Sequence, residues 1–199
     1  ICGILSARLQ ATDEKYSLNL FETDCGFEVN SPSISKVVSF FFLEFGFKSL
    51  LMPRTEHEYL WRPQPEKWCL LEIVCHLYDE EREDFKARVK HTLENPLNDL
   101  VPIDPEGWVK KRDYISRDYN ETLQAFLDER HTSIIWLKSK IDANWDNKLM
   151  HPELGDLSAK LFLANWLAHD YLHIRQIIRY QFQYLKEKTN IDLSYAGDW

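Results

Sequence analysis

The chain has 199 residues, of which 44% are hydrophobic and 14% aromatic, enough for one domain with a sizeable core and too apolar for global disorder. Its formal net charge is −8, and without a basic run it lacks the footprint that nucleic-acid binding requires. Only 6 glycines and 8 prolines favour helices over a turn-rich β architecture.

Residues 1–30 alternate short apolar and polar stretches and read as an N-terminal arm packed on a single domain over 31–199. Ser31-Pro32-Ser33 offers a cap and a first-turn proline ahead of an apolar run over 34–52, which Pro53 stops. Its phenylalanines (Phe40, Phe41, Phe42, Phe45, Phe47) suit a helix or a strand. Its apolar segment Val37–Phe47 is interrupted by Glu44 and is shorter than the ~20 apolar residues that span a bilayer. No membrane role and no signal peptide are expected.

After the loop Arg62-Pro63-Gln64-Pro65, apolar residues recur at Leu70, Ile73, Val74, Leu77, Phe85 and Val89 with acids between them. This predicts an amphipathic helix over about 69–93. Residues 95–117 hold three prolines and Gly107 without a sustained period, and read as a long connection. Asp118-Tyr119-Asn120-Glu121 is a capping box opening a helix near 118–141. His151-Pro152-Glu153-Leu154-Gly155 is a loop, and a last helix runs over 158–188. Four cysteines, Cys2, Cys25, Cys69 and Cys75, show no C-x-x-C spacing, so reduced thiols and a cytoplasmic location are expected.

His169 and His173 stand four residues apart in the last helix. That spacing places both imidazoles on one helix face, and imidazole is the commonest neutral metal ligand. A pair supplies two bonds, whereas a catalytic ion usually takes three protein ligands and keeps an open position. His76 in Cys75-His76-Leu77 is the third candidate, if its helix packs beside the last one. The blander reading is three hydrogen-bonded core or surface histidines. Glu80, one turn past His76, is a candidate fourth ligand or general base, or a surface carboxylate. Asp79, Glu81 and Asp170 read either as acceptors that orient a ligating imidazole or as solvated or structural charges, with Asp79 assigned to the latter. Cys75 reads as a buried thiol, Trp68 and Trp166 as core, and His151 as a loop histidine. His57, His91 and His131 carry no assigned role.

Pro65-Glu66-Lys67-Trp68, His76-Leu77-x-Asp79-x-Glu81 with Arg88, His151-Pro152…Gly155-x-Leu157-Ser158, and His169-Asp170-x-x-His173-Ile174-x-Gln176-Ile177 occur in that order. Together they resemble the DinB/YfiT-like family of metal-binding four-helix bundles, over about residues 62–180. The resemblance implies an all-α bundle with connectivity other than simple up-down-up-down. It implies a divalent ion, nickel or zinc first and iron after them, held by His76, His169 and His173. It also implies frequent homodimers. The activities it suggests on a small-molecule substrate are hydrolysis and S-transfer with a low-molecular-weight thiol. An ion held by three neutral imidazoles is a strong Lewis acid that can activate water or a thiol, so the residues leave both chemistries open. The absence of a cationic cluster in the sequence weighs against an acidic thiol. The alternative from another class is a non-catalytic, structural or dimeric bundle whose ion ties helices together. One departure is Cys69, where the family often has a capping serine; a thiol accepts weakly, so a loss of ~1 kcal/mol of capping is expected.

Overall fold

A computed structural model describes residues 32–197 apart from 99, and the side chains of all of these except 32–38 and 41. The expected arm over residues 1–30, with Cys2 and Cys25, lies outside the described residues. Helix α1 spans Pro32–Leu51, so the phenylalanine-rich run takes the helical option. A one-turn helix, α2, spans Glu56–Tyr59. Helix α3 (Leu70–Glu80) continues through a π-helical turn, Glu81–Phe85, into α4 (Lys86–Glu94). Helices α5 (Pro105–Lys111), α6 (Tyr119–Ser139) and α7 (Ala159–Thr189) follow.

Local chemistry accounts for the ends. The Asp118 carboxylate accepts the Glu121 N–H at 2.8 Å, and the Ser158 hydroxyl accepts the Leu161 N–H at 3.2 Å, each satisfying a free donor of a first turn. Asn190 closes α7 in the left-handed region at φ 52°. At the start of α3 the Glu72 carboxylate accepts the Cys69 N–H at 2.8 Å and is itself held by Arg62 at 2.6 Å. The weak thiol cap is thus backed by a strong acceptor three residues on.

Two expected loops are structured. The connection over 95–117 contains α5 and a 3₁₀ turn, Tyr114–Ser116. Asp104 caps α5 by accepting the Gly107 N–H at 3.0 Å. Residues around His151 form an antiparallel hairpin, β1 (Lys148–His151) and β2 (Gly155–Ser158), with His151 opposite Gly155. Gly155 sits at φ +72°, a conformation glycine adopts without steric cost.

The core has two apolar layers. One gathers Phe47, Leu51, Leu70, Val74, Leu123, Phe126, Ile177 and Tyr180; the other gathers Phe40, Val89, Ile134, Leu137, Leu163 and Trp166. Both layers draw on the same four long helical segments, and their order gives the directions. Along α1 and α7 the second layer comes first; along α3–α4 and α6 it comes last. The bundle therefore runs up-down-down-up, and the connection after α4 must return along the full length of the bundle. Asp79 anchors that crossover. It accepts the Tyr114 hydroxyl at 2.7 Å and pairs with Arg112 at 2.9 Å. Asp79 is fully buried, so its structural reading holds and its solvated one does not.

Between the apolar layers lies a polar one. Arg130 on α6 is 1% exposed. Its guanidinium bonds Asp170 of α7 through Nη1 at 2.6 Å and Nη2 at 2.8 Å, and Glu81 of the π turn at 2.7 Å. The Trp166 indole also donates to Glu81, at 2.9 Å. Rings of Phe40, Phe47, Phe126 and Trp166 surround the guanidinium at 5.2–5.9 Å, within cation–π range. Glu81 and Asp170 are thus neither solvated charges nor bonded to an imidazole; both serve Arg130. Removing one partner of such a network strands buried charge. Arg130→Met is expected to lower the unfolding free energy by about 3–5 kcal/mol in a urea titration, with much of the loss recovered on adding Glu81→Leu and Asp170→Leu. A loss below 1 kcal/mol, the scale of an exposed ion pair, would contradict this role.

Candidate metal centre

The polar layer carries the three histidines. His76 comes from α3, and His169 and His173 from α7, each α7 histidine on the face that turns toward α3. One ligating atom from each lies within 4.8 Å of the other two. Ring centroids are 5.4 Å apart for His76 and His169, 4.9 Å for His76 and His173, and 4.3 Å for His169 and His173. The Nε2 atoms of His169 and His173 are 3.0 Å apart. Two nitrogens bound to one ion at ~2.1 Å and 90–110° would stand about 3.0–3.4 Å apart, so this spacing fits a shared ion.

Hydrogen bonding fixes one tautomer. The Gln176 Oε1 atom lies 2.8 Å from His173 Nδ1. An amide oxygen only accepts, so Nδ1 donates and Nε2 is left with its lone pair facing His169. His76 Nδ1 is buried with no hydrogen-bond partner among the described residues, a costly state for a polar atom that a ligated ion could relieve. Burial, then His173, pushes His76 down to about 3. Burial, then His173, His76 and Arg130, pushes His169 down to about 2. Burial lowers His173 as well, against the Gln176 bond that raises it. All three rings are therefore neutral at pH 7, the state in which imidazole ligates. The rings of Trp68, 5.0 Å from His76, and Phe85, 4.8 Å from His169, wall the cluster.

The DinB superfamily model matches residues 47–177 of this sequence. The chain belongs to the DinB superfamily. Among solved structures it is similar to YfiT from Bacillus subtilis, described as a probable metal-dependent hydrolase with an unusual four-helix bundle topology. The TM-score is 0.67 at 15% identity, covering 85% of this chain and 94% of that one, a likeness that bears on the fold. No curated protein matches the sequence.

In this DinB-superfamily chain Glu80 stands outside the histidine cluster. It is buried on the π-turn side, where burial, then Asp84, pushes its carboxyl up to about 8. Its Oε1 has no hydrogen-bond partner among the described residues. Cys75 is buried, 3.8 Å from the Tyr114 carbonyl, and burial pushes its thiol up to about 12, which suits the inert reading. Trp166 is core, as expected, but its indole N–H also serves Glu81. His151 Nδ1 accepts the Glu153 and Leu154 N–H groups at 3.2 Å each, a turn-stabilising role. His57, His91 and His131 lie outside the cluster.

The residue that sequence reading missed is Arg130. It falls in the apolar stripe of α6, between Leu127 and Ile134, as Asp170 falls between Trp166 and Ile177 and Glu81 one turn beyond Leu77. A lone charge at a stripe position was the available signal.

The lowered histidines make the metal-free chain acid-sensitive. Unfolded imidazole titrates near 6.5, whereas the folded chain holds His76 and His169 near 3 and 2. Below about pH 6.5 the unfolded state binds protons that the folded state refuses, so stability is full above that pH and falls as pH drops toward 3. Urea titrations of the metal-free chain from pH 7.5 to 4 should show that decline, flattened in His169→Asn. A decline with the same slope in that variant would assign it to other groups.

Proposed function

We propose that His76, His169 and His173 hold one divalent ion and that the protein is a metal-dependent hydrolase of a small-molecule substrate. The observation that carries this reading is a cluster of three neutral imidazoles with, among the described residues, no carboxylate or thiolate in it. A site of that kind keeps coordination positions for water and substrate. Imidazole donors suit nickel, zinc and iron, and we place nickel or zinc first. When bound, such an ion supplies Lewis acidity, which polarises a scissile carbonyl and lowers the pKa of water.

The chain's own residues prepare the site. Gln176 holds the His173 ring in the tautomer that frees Nε2. The fork from Arg130 to Asp170, the neighbour of His169, holds α7 in place, and the Trp68 and Phe85 rings limit the water around the cluster. Glu80, protonated near neutral pH, can hold a proton at a carboxyl oxygen beside the bundle's π turn. The second reading is S-transfer with a low-molecular-weight thiol. It is supported by the two described cysteines, which are buried with thiols pushed up to about 11 and 12; a thiol nucleophile would have to come from solution. Their reduced, unbridged state also suits a cytoplasmic protein, and a homodimer belongs to the same proposal. The described residues hold no helix long and apolar enough to cross a membrane.

The test is turnover across a panel of esters, amides and thiol–electrophile pairs, using chain stripped with a chelator and reloaded with Ni²⁺, Zn²⁺ or Fe²⁺. Turnover that returns with the ion and is lost in His169→Ala is expected. Turnover indifferent to the ion would overturn the reading. No turnover, with four protein donors on the ion by X-ray absorption, would favour the non-catalytic tie.

A further inference from the structure

One cavity opens beside the histidines, and a second adjoins it further along α7. The inner one, about 340 Å³, is walled by Trp68, Ile73, Gln176 and Tyr180, with Lys67 and Arg179 at its rim. The outer one, about 730 Å³, shares Pro63, Arg179 and Gln183 with it and runs on past Trp61 and Lys186. Each volume is in the range of small-molecule sites. The inner cavity shares two walls with the metal centre. The Trp68 ring lies 5.0 Å from the His76 ring, tilted at 56°, on one side, and Gln176 bonds His173 on the other. A molecule seated there lies one side chain from His76 and from His173.

The lining states the chemistry. None of the residues lining the inner cavity is acidic, on a chain whose net charge is −8. Lys67 and Arg179 are exposed, and neither side chain has a hydrogen bond or ion pair among the described residues. The acids of the outer cavity already have donors. Glu187 accepts the Trp61 indole N–H at 2.9 Å and the Lys188 ammonium at 3.0 Å, and Asp192 accepts the Ser194 N–H and hydroxyl, each at 2.9 Å. The floor is apolar (Trp68, Ile73, the Tyr180 ring), with the Gln64, Gln176 and Gln183 amides around it. The sequence shows no cationic cluster because Lys67 and Arg179 are more than a hundred residues apart and meet only in the fold. On α7, Gln176, Arg179 and Gln183 follow at three- and four-residue steps, on one face.

We propose that this cavity binds the carboxylate end of the substrate, so that the substrate class is a small organic acid with an apolar or aromatic body. The inference rests on the hydrolase reading and names its substrate. Arg179 pairs the carboxylate in its planar fork, Lys67 adds a second cation, and Trp68 packs on the body next to the reacting end.

The probe is 4-phenylbutyrate against the uncharged 4-phenylbutan-1-ol, titrated calorimetrically into the full chain stripped of metal. Using the stripped chain keeps the outcome independent of whether the histidines hold an ion. Wild type should bind the acid about tenfold more tightly than the alcohol, the worth of one charge-assisted hydrogen bond, and the preference should shrink in 1 M salt. Arg179→Gln and Lys67→Gln should each reduce the preference, their combination should abolish it, and Arg179→Lys should retain part of it. Both positions are exposed, so these variants should keep the wild-type unfolding midpoint, which is measured alongside. Equal affinity for acid and alcohol in wild type, or an undiminished preference in the double variant, would overturn the proposal.

Discussion

One buried guanidinium sets the terms for this bundle. Arg130 has no water to solvate it, so it needs anionic partners of good geometry or its charge would cost several kcal/mol. The two it has, Glu81 and Asp170, come from the two helical segments that also carry the histidines. Burial alone would favour the neutral guanidine, and the two carboxylates outweigh it and keep the group charged. Satisfying Arg130 therefore fixes α3 and its π turn against α7. Asp170 is adjacent to His169 and one turn before His173, so the fork that orients it orients them as well.

The layering follows from that constraint. An apolar core split by a polar layer is less stable than one packed throughout, but the polar layer removes alternatives. Sliding α6 by a turn would carry Arg130 away from its acids and put Phe126 or Ile134 opposite them. The parallel placement of α3–α4 and α6, awkward for connectivity, needs a long return segment, and Asp79 with Tyr114 and Arg112 holds that segment down. The π turn lets Glu81 and Phe85 both face α7, one reaching Arg130 and Trp166 and the other the His169 ring. Such turns recur at functional sites because they re-aim side chains that a regular helix would leave elsewhere.

Much of this was legible in the residues. Periodicity located three of the four long helices to within a few positions, and the phenylalanine-rich run left only its type open. Asp118 and Ser158 cap where their side chains said they would. The i, i+4 histidines announced a shared face, and the ordered motifs joined His76 to them. Other features were hidden for physical reasons. Helix α5 is held by a cap and by Trp108 docking on the core rather than by its own period. The hairpin around His151 is four residues per strand, too short for alternation to register. Asp79, Glu81 and Asp170 resembled solvated helix charges because a sequence shows the acid and not its distant base. That Lys67 and Arg179 line one cavity is likewise a product of the fold.

The account stands or falls on whether the preorganised imidazoles hold an ion together. The most direct measurement is elemental analysis by inductively coupled plasma mass spectrometry of untagged wild-type protein and of His173→Ala, each after exposure to equal nickel and zinc and exhaustive dialysis. The account predicts close to one ion per chain in wild type and almost none in the variant, because two remaining imidazoles are too few to retain it. Wild-type protein that retains no metal, or a variant that retains as much as wild type, would contradict it.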